Sequence, residues 1–215
     1  MRLWITCIAG LLLAPAAFAA DRAGTWETRF GIGFTNSTDA DFEGGTTADI
    51  ESDENLRIGF GYHMSDHLEL GGNLSFGQTD YSGNIAGDQF GEFFRVNGDL
   101  EFTTLMFDGT WNILPGAFSP FVVGAVGWTW VDTNIATEPP QTGCWWDPWW
   151  GYVCSSFQNT RTIDGFTYQI GAGARYDFSD TFAVHASYRM TWIEFDNATS
   201  TPDMDGFEIS VGWKF

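Results

Sequence analysis

GFEISVGWKF, Gly206 to Phe215, places a large apolar side chain at every second position: Phe207, Ile209, Val211, Trp213 and Phe215. Gly206, Glu208, Ser210, Gly212 and Lys214 fall between them, so one side is apolar and the other small or charged, the period of a β-strand. A strand of a soluble protein has the same period. What the other strands do, how the connections are sized and what the first twenty residues say decide between a soluble and a membrane setting.

The alternation recurs in Trp26, Thr28, Phe30, Ile32 and Phe34, then in Leu56, Ile58, Phe60 and Tyr62, and in Leu68, Leu70, Leu74 and Phe76. Leu105, Phe107 and Trp111 form a fourth segment; Val122, Val126, Trp128 and Trp130 a fifth; Phe166, Tyr168, Ile170 and Tyr176 a sixth; Phe182, Val184, Tyr188, Met190 and Trp192 a seventh. The quoted stretch is the eighth. A strand of about ten residues rises roughly 33 Å and, tilted by about 45°, covers roughly 23 Å, near the height of the apolar band of a membrane barrel. The connections between segments alternate in length. Long ones are expected at 35–55, 78–98, 132–164 and 196–205, and short ones at Met64-Ser65-Asp66, Leu114 to Ser119 and Phe178-Ser179-Asp180. Short turns on one side and long loops on the other are the habit of a membrane barrel, and a soluble lipocalin-like barrel has no reason to sort them so.

The face opposite the apolar one carries Glu27, Arg29, Arg57, His63, Glu69, Asn73, Asp108, Gln169, Arg175, His185, Arg189, Glu208 and Lys214, with many glycines. Five of the eight basic residues after the leader lie on it. An Arg or Lys turned to lipid at the midplane costs about 2 to 4 kcal/mol, so the charged face points inward, where an eight-stranded barrel has room only for side chains. Glu27, Arg29, Arg57, Glu69, Asp108, Arg175, His185, Arg189, Glu208 and Lys214 are therefore expected to form a polar network that plugs the lumen. Glu101 shares the parity of Leu105 and Phe107, so it is expected beyond the hydrocarbon or at a bulge. The fold class is all-β: an eight-stranded antiparallel up-and-down transmembrane barrel, ending on a strand that closes against the first.

The chain has 215 residues and no composition break that marks a linker. Arg2, an apolar run from Leu3 to Ala14 and Ala17-Phe18-Ala19 read as a secretory signal peptide over 1–19, leaving one barrel domain over 20–215. Pro15 breaks the apolar run, and no later stretch is long enough for a membrane helix. Cys7 leaves with the leader. Cys144 and Cys154 then remain in an oxidising compartment, where a disulfide is expected. A net charge of -19 excludes nucleic acid as a partner, because a phosphate backbone calls for basic surface.

SPFVVGAVGWTW, Ser119 to Trp130, and GFTYQIGAGARYDFSDTFAVHASYRM, Gly165 to Met190, resemble strands of the outer-membrane β-barrel family that includes opacity-type surface antigens and the OmpA transmembrane domain. Phe215, with Trp213 and Val211 behind it, resembles that family's assembly signal, which implies the barrel-insertion machinery as a partner. The resemblance covers the strands and not the loops. It implies a Gram-negative-type outer membrane, both termini periplasmic, and contact with lipid and lipopolysaccharide. No peptidoglycan-binding domain follows the last strand, so a tethering role does not carry over.

CWWDPWWGYVC, Cys144 to Cys154, gathers Trp145, Trp146, Trp149, Trp150 and Tyr152 at the tip of the longest connection. Two readings stand: an aromatic patch for an extracellular glycan or protein ligand, or a small core over the barrel mouth. The core is the stronger expectation, since four exposed tryptophans invite aggregation. Asp39 to Asn55 carries seven acids and no base. Asp39, Asp41, Glu43 and Gly44 open like a calcium loop, but Ile50 stands where its twelfth position needs Glu, so a solvated acidic loop and no metal are expected. His185 and Ser187 share a face, as in outer-membrane lipid A deacylases of the PagL type, but that face is lumenal and the deacylase's surrounding motif is missing. The expectation is a non-enzymatic barrel without cofactor, displaying acidic and Trp-rich loops in a structural or adhesin-like role. OmpW-like transport of small hydrophobic molecules is the first alternative and a lipid A-modifying hydrolase the second.

Overall fold

The computed structural model describes residues 21–42, 46–86, 93–136, 141–157, 160–195 and 203–215. The expected leader lies outside them. The strands are β1 (Trp26–Thr35), β2 (Thr38–Phe42), β3 (Thr46–Ile50), β4 (Asp53–His63), β5 (Leu68–Ala86), β6 (Phe93–Asn112), β7 (Phe118–Ala136), β8 (Gln141–Asp147), β9 (Gly151–Phe157), β10 (Thr160–Asp177), β11 (Phe182–Phe195) and β12 (Asp203–Lys214). Among the described residues there is no helix.

Eight of these close into an antiparallel ring in the order β1-β4-β5-β6-β7-β10-β11-β12. The seam between first and last pairs Glu27 with Lys214 and Phe34 with Phe207, so the chain ends meet as neighbouring strands. Closure leaves the wall without an open edge, which a membrane-spanning sheet requires. All eight segments read from the alternation are strands of this ring, and the three short connections are turns at 64–67, 113–117 and 178–181. Ser65 Oγ accepts from the Leu68 amide at 3.0 Å and Ser179 Oγ from the Phe182 amide at 3.1 Å. A hydroxyl thereby takes up an amide left over at two of the hairpins.

The long connections differ from the expectation. The stretch 78–98 is mostly strand, with Asp80 opposite Asp99 and Tyr81 opposite Gly98 in unbroken register. Its Gly-, Asp- and Asn-rich composition reads as loop, but a partner strand in register outweighs that propensity. β5, β6, β7 and β10 run 18 to 20 residues, against 10 to 14 for β1, β4, β11 and β12. Half of the wall therefore stands about 17 Å taller at the long-connection end. The acidic first connection folds as the hairpin β2–β3, whose strand β3 pairs with β5 through Ile50 and Tyr81. Glu43 and Gly44, and the side chains of Asp39 and Asp41, lie outside the described residues. Glu101 is exposed on the outer wall opposite Asp132, and β6 carries no bulge there, so its place is above the apolar band.

The two faces separate as their periods dictate. Outward side chains such as Phe30, Ile32, Ile58, Phe107, Val126, Ile170 and Ile209 are 40 to 66% exposed, whereas inward Glu27, His63, Glu69, Arg175 and Lys214 are 0 to 2% exposed. Aromatic rings bound the apolar band. At the short-turn end Trp26 stacks on Phe60 at 4.9 Å and Tyr176 meets Phe178 at 4.7 Å; at the other end Tyr168 stacks on Trp192 at 5.3 Å and Trp128 meets Phe166 at 5.8 Å. From Tyr176 to Phe166 along β10 is about 33 Å, or about 23 Å along the barrel axis after tilt, close to the roughly 25 Å band of outer-membrane barrels.

Close strand contact depends on particular glycines. A Cβ on Gly127 would fall on the Leu105 carbonyl oxygen, which is backbone and cannot turn away, whereas one on outward Gly124 would meet nothing within 4 Å. Gly127→Ala is expected to destabilise the barrel by about 1 to 3 kcal/mol and Gly124→Ala to leave it unchanged. Urea unfolding of the two variants in vesicles compares them directly.

Candidate functional site

The lumen holds two tiers of ion pairs. In the tier nearest the short turns, Glu27 of β1 accepts from Arg175 Nη2 at 2.7 Å and meets His63 Nε2 at 3.1 Å. His185 Nε2 lies 2.8 Å from the other Glu27 oxygen, within ion-pair distance but off the hydrogen-bond direction. Asp177 takes Arg175 at 2.8 Å, Lys214 at 2.9 Å and Arg22 at 2.8 Å. In the upper tier Arg29 bridges Glu69 at 2.9 Å and Asp108 at 3.4 Å, while Arg57 and Arg189 share Glu208 at 2.7 and 2.8 Å. Gln169 Oε1 accepts from Arg189 at 2.9 Å. Every residue expected in the polar network thus points into the lumen. Each charge meets an opposite one, as burial in so narrow a space demands.

Two members were missed in the sequence. Arg22 precedes any alternation, yet its side chain is fully buried and donates to Asp177 and to the carbonyls of Asp66, Leu114 and Gly116. It ties the first two short turns to the end of β10, across the barrel's mouth. Asp177 shares the parity of Arg175 and is the last residue of β10 before the turn at 178–181. The polar cavity lined by Arg29, Arg57, Asn73, Asp108, Arg189 and Glu208 measures about 10 Å³, the space of one water.

His185 and Ser187 are buried in this lumen. Ser187 Oγ accepts from Arg189 Nε at 3.2 Å and His185 is turned to Glu27, so each is engaged away from the other.

A second feature stands apart from the ring. β8 and β9 pair only with each other, and the Cys144–Cys154 disulfide joins facing residues. Asp147 Oδ1 accepts from the amides of Trp149 at 2.8 Å and Trp150 at 3.0 Å, and Gly151 takes the left-handed φ of 80° that reverses the chain. Trp146, Trp149, Trp150 and Tyr152 are 73, 88, 83 and 69% exposed, and Trp145 is 44% exposed. This differs from the small core expected over the mouth: a two-stranded hairpin has no second layer in which to bury the rings. Closing a loop of this length stabilises it by about 2 to 3 kcal/mol. Reduction is therefore expected to make 141–157 sensitive to chymotrypsin while leaving the barrel's unfolding curve in place.

Charge is partitioned between the two features. Arg22, Arg29, Arg57, Arg175, Arg189 and Lys214 are six of the eight bases after the leader, and the lumen pairs them with five of the 28 acids. The rest of the chain after the leader keeps twenty-three acids and two bases, Arg95 and Arg161. Acids crowd the tall wall enough to perturb one another. The Asp99 carboxyl is held above the ordinary range chiefly by its hydrogen bond to the Asp80 side chain, with the charges of Asp80 and Glu101 adding. Because its folded pKa is raised, this contribution to stability is complete below the ordinary carboxylate pKa and fades as pH rises through the raised value. Amide protection at Asp80 and Asp99, taken as the exchange rate relative to the intrinsic rate at the same pH, is expected to rise on acidification, and Asp99→Asn to remove that rise.

No curated protein sequence matches the chain. Among solved structures it is similar to the neisserial surface protein NspA, with TM-score 0.55 and 13% identity over 89% of this chain and 99% of that one. It is also similar to OprG from Pseudomonas aeruginosa, with TM-score 0.54 and 15% identity over 92% and 99%. At these identities the likeness is one of fold. The model for the outer membrane protein beta-barrel domain matches residues 5–215, and the chain belongs to that family.

Proposed function

We propose that this chain is a non-conducting outer-membrane display barrel, which holds its aromatic hairpin outside the cell in a surface-interaction role. The buried ion-pair network carries this reading: with Arg22, Arg175, Lys214, Glu27 and Asp177 filling the lower lumen, a solute has no way through. Short turns belong to the periplasmic side of such barrels, which supports a reading with both termini there and the tall wall and hairpin outside. Val211 and Trp213 on β12 and Phe215 just after it are outward and 42, 60 and 66% exposed, where the insertion machinery would read them. Outer-membrane lipid and lipopolysaccharide cover the apolar band, and the hairpin faces an extracellular glycan or protein. OmpW-like transport would need an open, apolar lumen. A lipid A hydrolase would need His185 and Ser187 to reach acyl chains from a sealed interior.

Planar-bilayer recording and tracer uptake into vesicles test the reading. It requires no channel events and no uptake, together with chymotrypsin cleavage at the hairpin on intact cells once a reductant has opened the Cys144–Cys154 link. Steady conductance, solute entry or a hairpin protected from outside would contradict it. Ser187→Ala is expected to leave the lipid A profile unchanged.

A further inference from the structure

The lumen removes nearly all positive charge from the surface, and the hairpin leaves its aromatic faces bare. On the reading above, in which β8–β9 lies outside the cell, we propose that the hairpin is a docking site for an arginine-rich segment of another polypeptide. Charge selects the class. With Asp21, Asp66 and Asp180 set aside at the short-turn end, the sequence toward the long-connection end carries twenty acids and two bases, which repels sulfated glycans and anionic membranes and draws cationic partners. Aromatic faces select the group. Indole binds cations best among the aromatic rings, and the planar guanidinium stacks on it while keeping its N–H groups free for carboxylates.

The geometry suits such a contact. The backbone amides of Trp149 and Trp150 are held at the tip by the Asp147 cap, and Trp146 faces Tyr152 across the two strands, two residues from the Cys144–Cys154 link. The backbone that carries the rings is thereby ordered before binding, so that only side-chain rotation is left to be lost. At the exposures observed, Trp146, Trp149, Trp150 and Tyr152 offer about 600 Å² of contact, approaching the roughly 800 Å² per partner of a standard interface. Neutral glycans would use the rings but not the charge; a zwitterionic bilayer would likewise gain nothing from the acids.

The test uses the full-length protein folded in detergent, with a fluorescent oligo-arginine peptide as probe. An oligo-glutamate peptide, dextran sulfate and phosphatidylcholine vesicles serve as comparisons. Saturable binding of oligo-arginine alone is expected, weakening with salt and falling about tenfold in W149A/W150A, a change that leaves net charge untouched. The heat-dependent gel shift of the barrel establishes that the variant is folded, and W149F/W150F is expected to retain part of the affinity. Absence of oligo-arginine binding would overturn the inference. So would binding unaffected by W149A/W150A, which would reduce it to general attraction, or equal ring-dependent binding of the vesicles. Any of these results leaves the display reading standing if the hairpin is cleaved from outside and no conductance is seen; a protected hairpin removes both.

Discussion

Arg175→Met is expected to cost about 3 to 5 kcal/mol and to prevent most of the protein from reaching the heat-modifiable folded form. Arg175 is the centre of the lower tier, with Glu27 at 2.7 Å, Asp177 at 2.8 Å and His63 Nε2 at 3.3 Å. Met keeps much of the volume but leaves two buried carboxylates short of a cation, and an uncompensated buried charge is far more costly than a lost surface pair. Lys214 and Arg22 remain on Asp177, so Glu27 is the group left most exposed to this loss. The double variant Arg175→Met/Glu27→Gln is therefore expected to recover a substantial part of the stability. Urea titration of folded protein in lipid vesicles measures both. A single variant as stable as the parent would mean that the network is ornamental.

Ile209→Arg carries the second large effect, on the opposite face of the wall. Ile209 is 54% exposed, midway along β12, and pairs with Ile32 and Ala186. Arginine there meets hydrocarbon and is expected to cost about 2 to 4 kcal/mol, whereas Trp213→Arg, in the aromatic rim, is expected to cost about 0 to 1 kcal/mol. The difference between two positions on one strand, read from the same vesicle unfolding experiment, follows depth in the bilayer. A soluble barrel would show no such gradient.

Both predictions were within reach of the sequence, because period two fixes which side chains share a face and the energetics of charge then say which face is inside. Arg175 stands on β10 and Ile209 on β12, and each could be assigned from its own strand. The network's partners were not legible: that Arg175 joins Glu27 across 148 residues follows from the shear of the closed ring, which alternation does not encode. Arg22 could not be found, since it lies outside every strand and acts through backbone carbonyls of turns. The upper wall was missed for a different reason. QTDYSGN, Gln78 to Asn84, has the composition of a loop and becomes strand because β6 runs opposite it in register. General grounds of aggregation favour a buried core for the tryptophans, but among the described residues the two-stranded hairpin has no second layer to cover them.

The central claim is that lipid surrounds the apolar face and the charges are sealed within. Single cysteines along β12, at Phe207, Glu208, Ile209, Ser210, Val211, Gly212, Trp213 and Lys214 in a C144S/C154S background, measure it most directly in vesicles. Reaction with a membrane-soluble maleimide should rise at 207, 209, 211 and 213 and stay low at 208, 210, 212 and 214, with a water-soluble maleimide reaching neither set. Labelling of the even positions from the lipid, or equal labelling of both sets from water, would contradict the account.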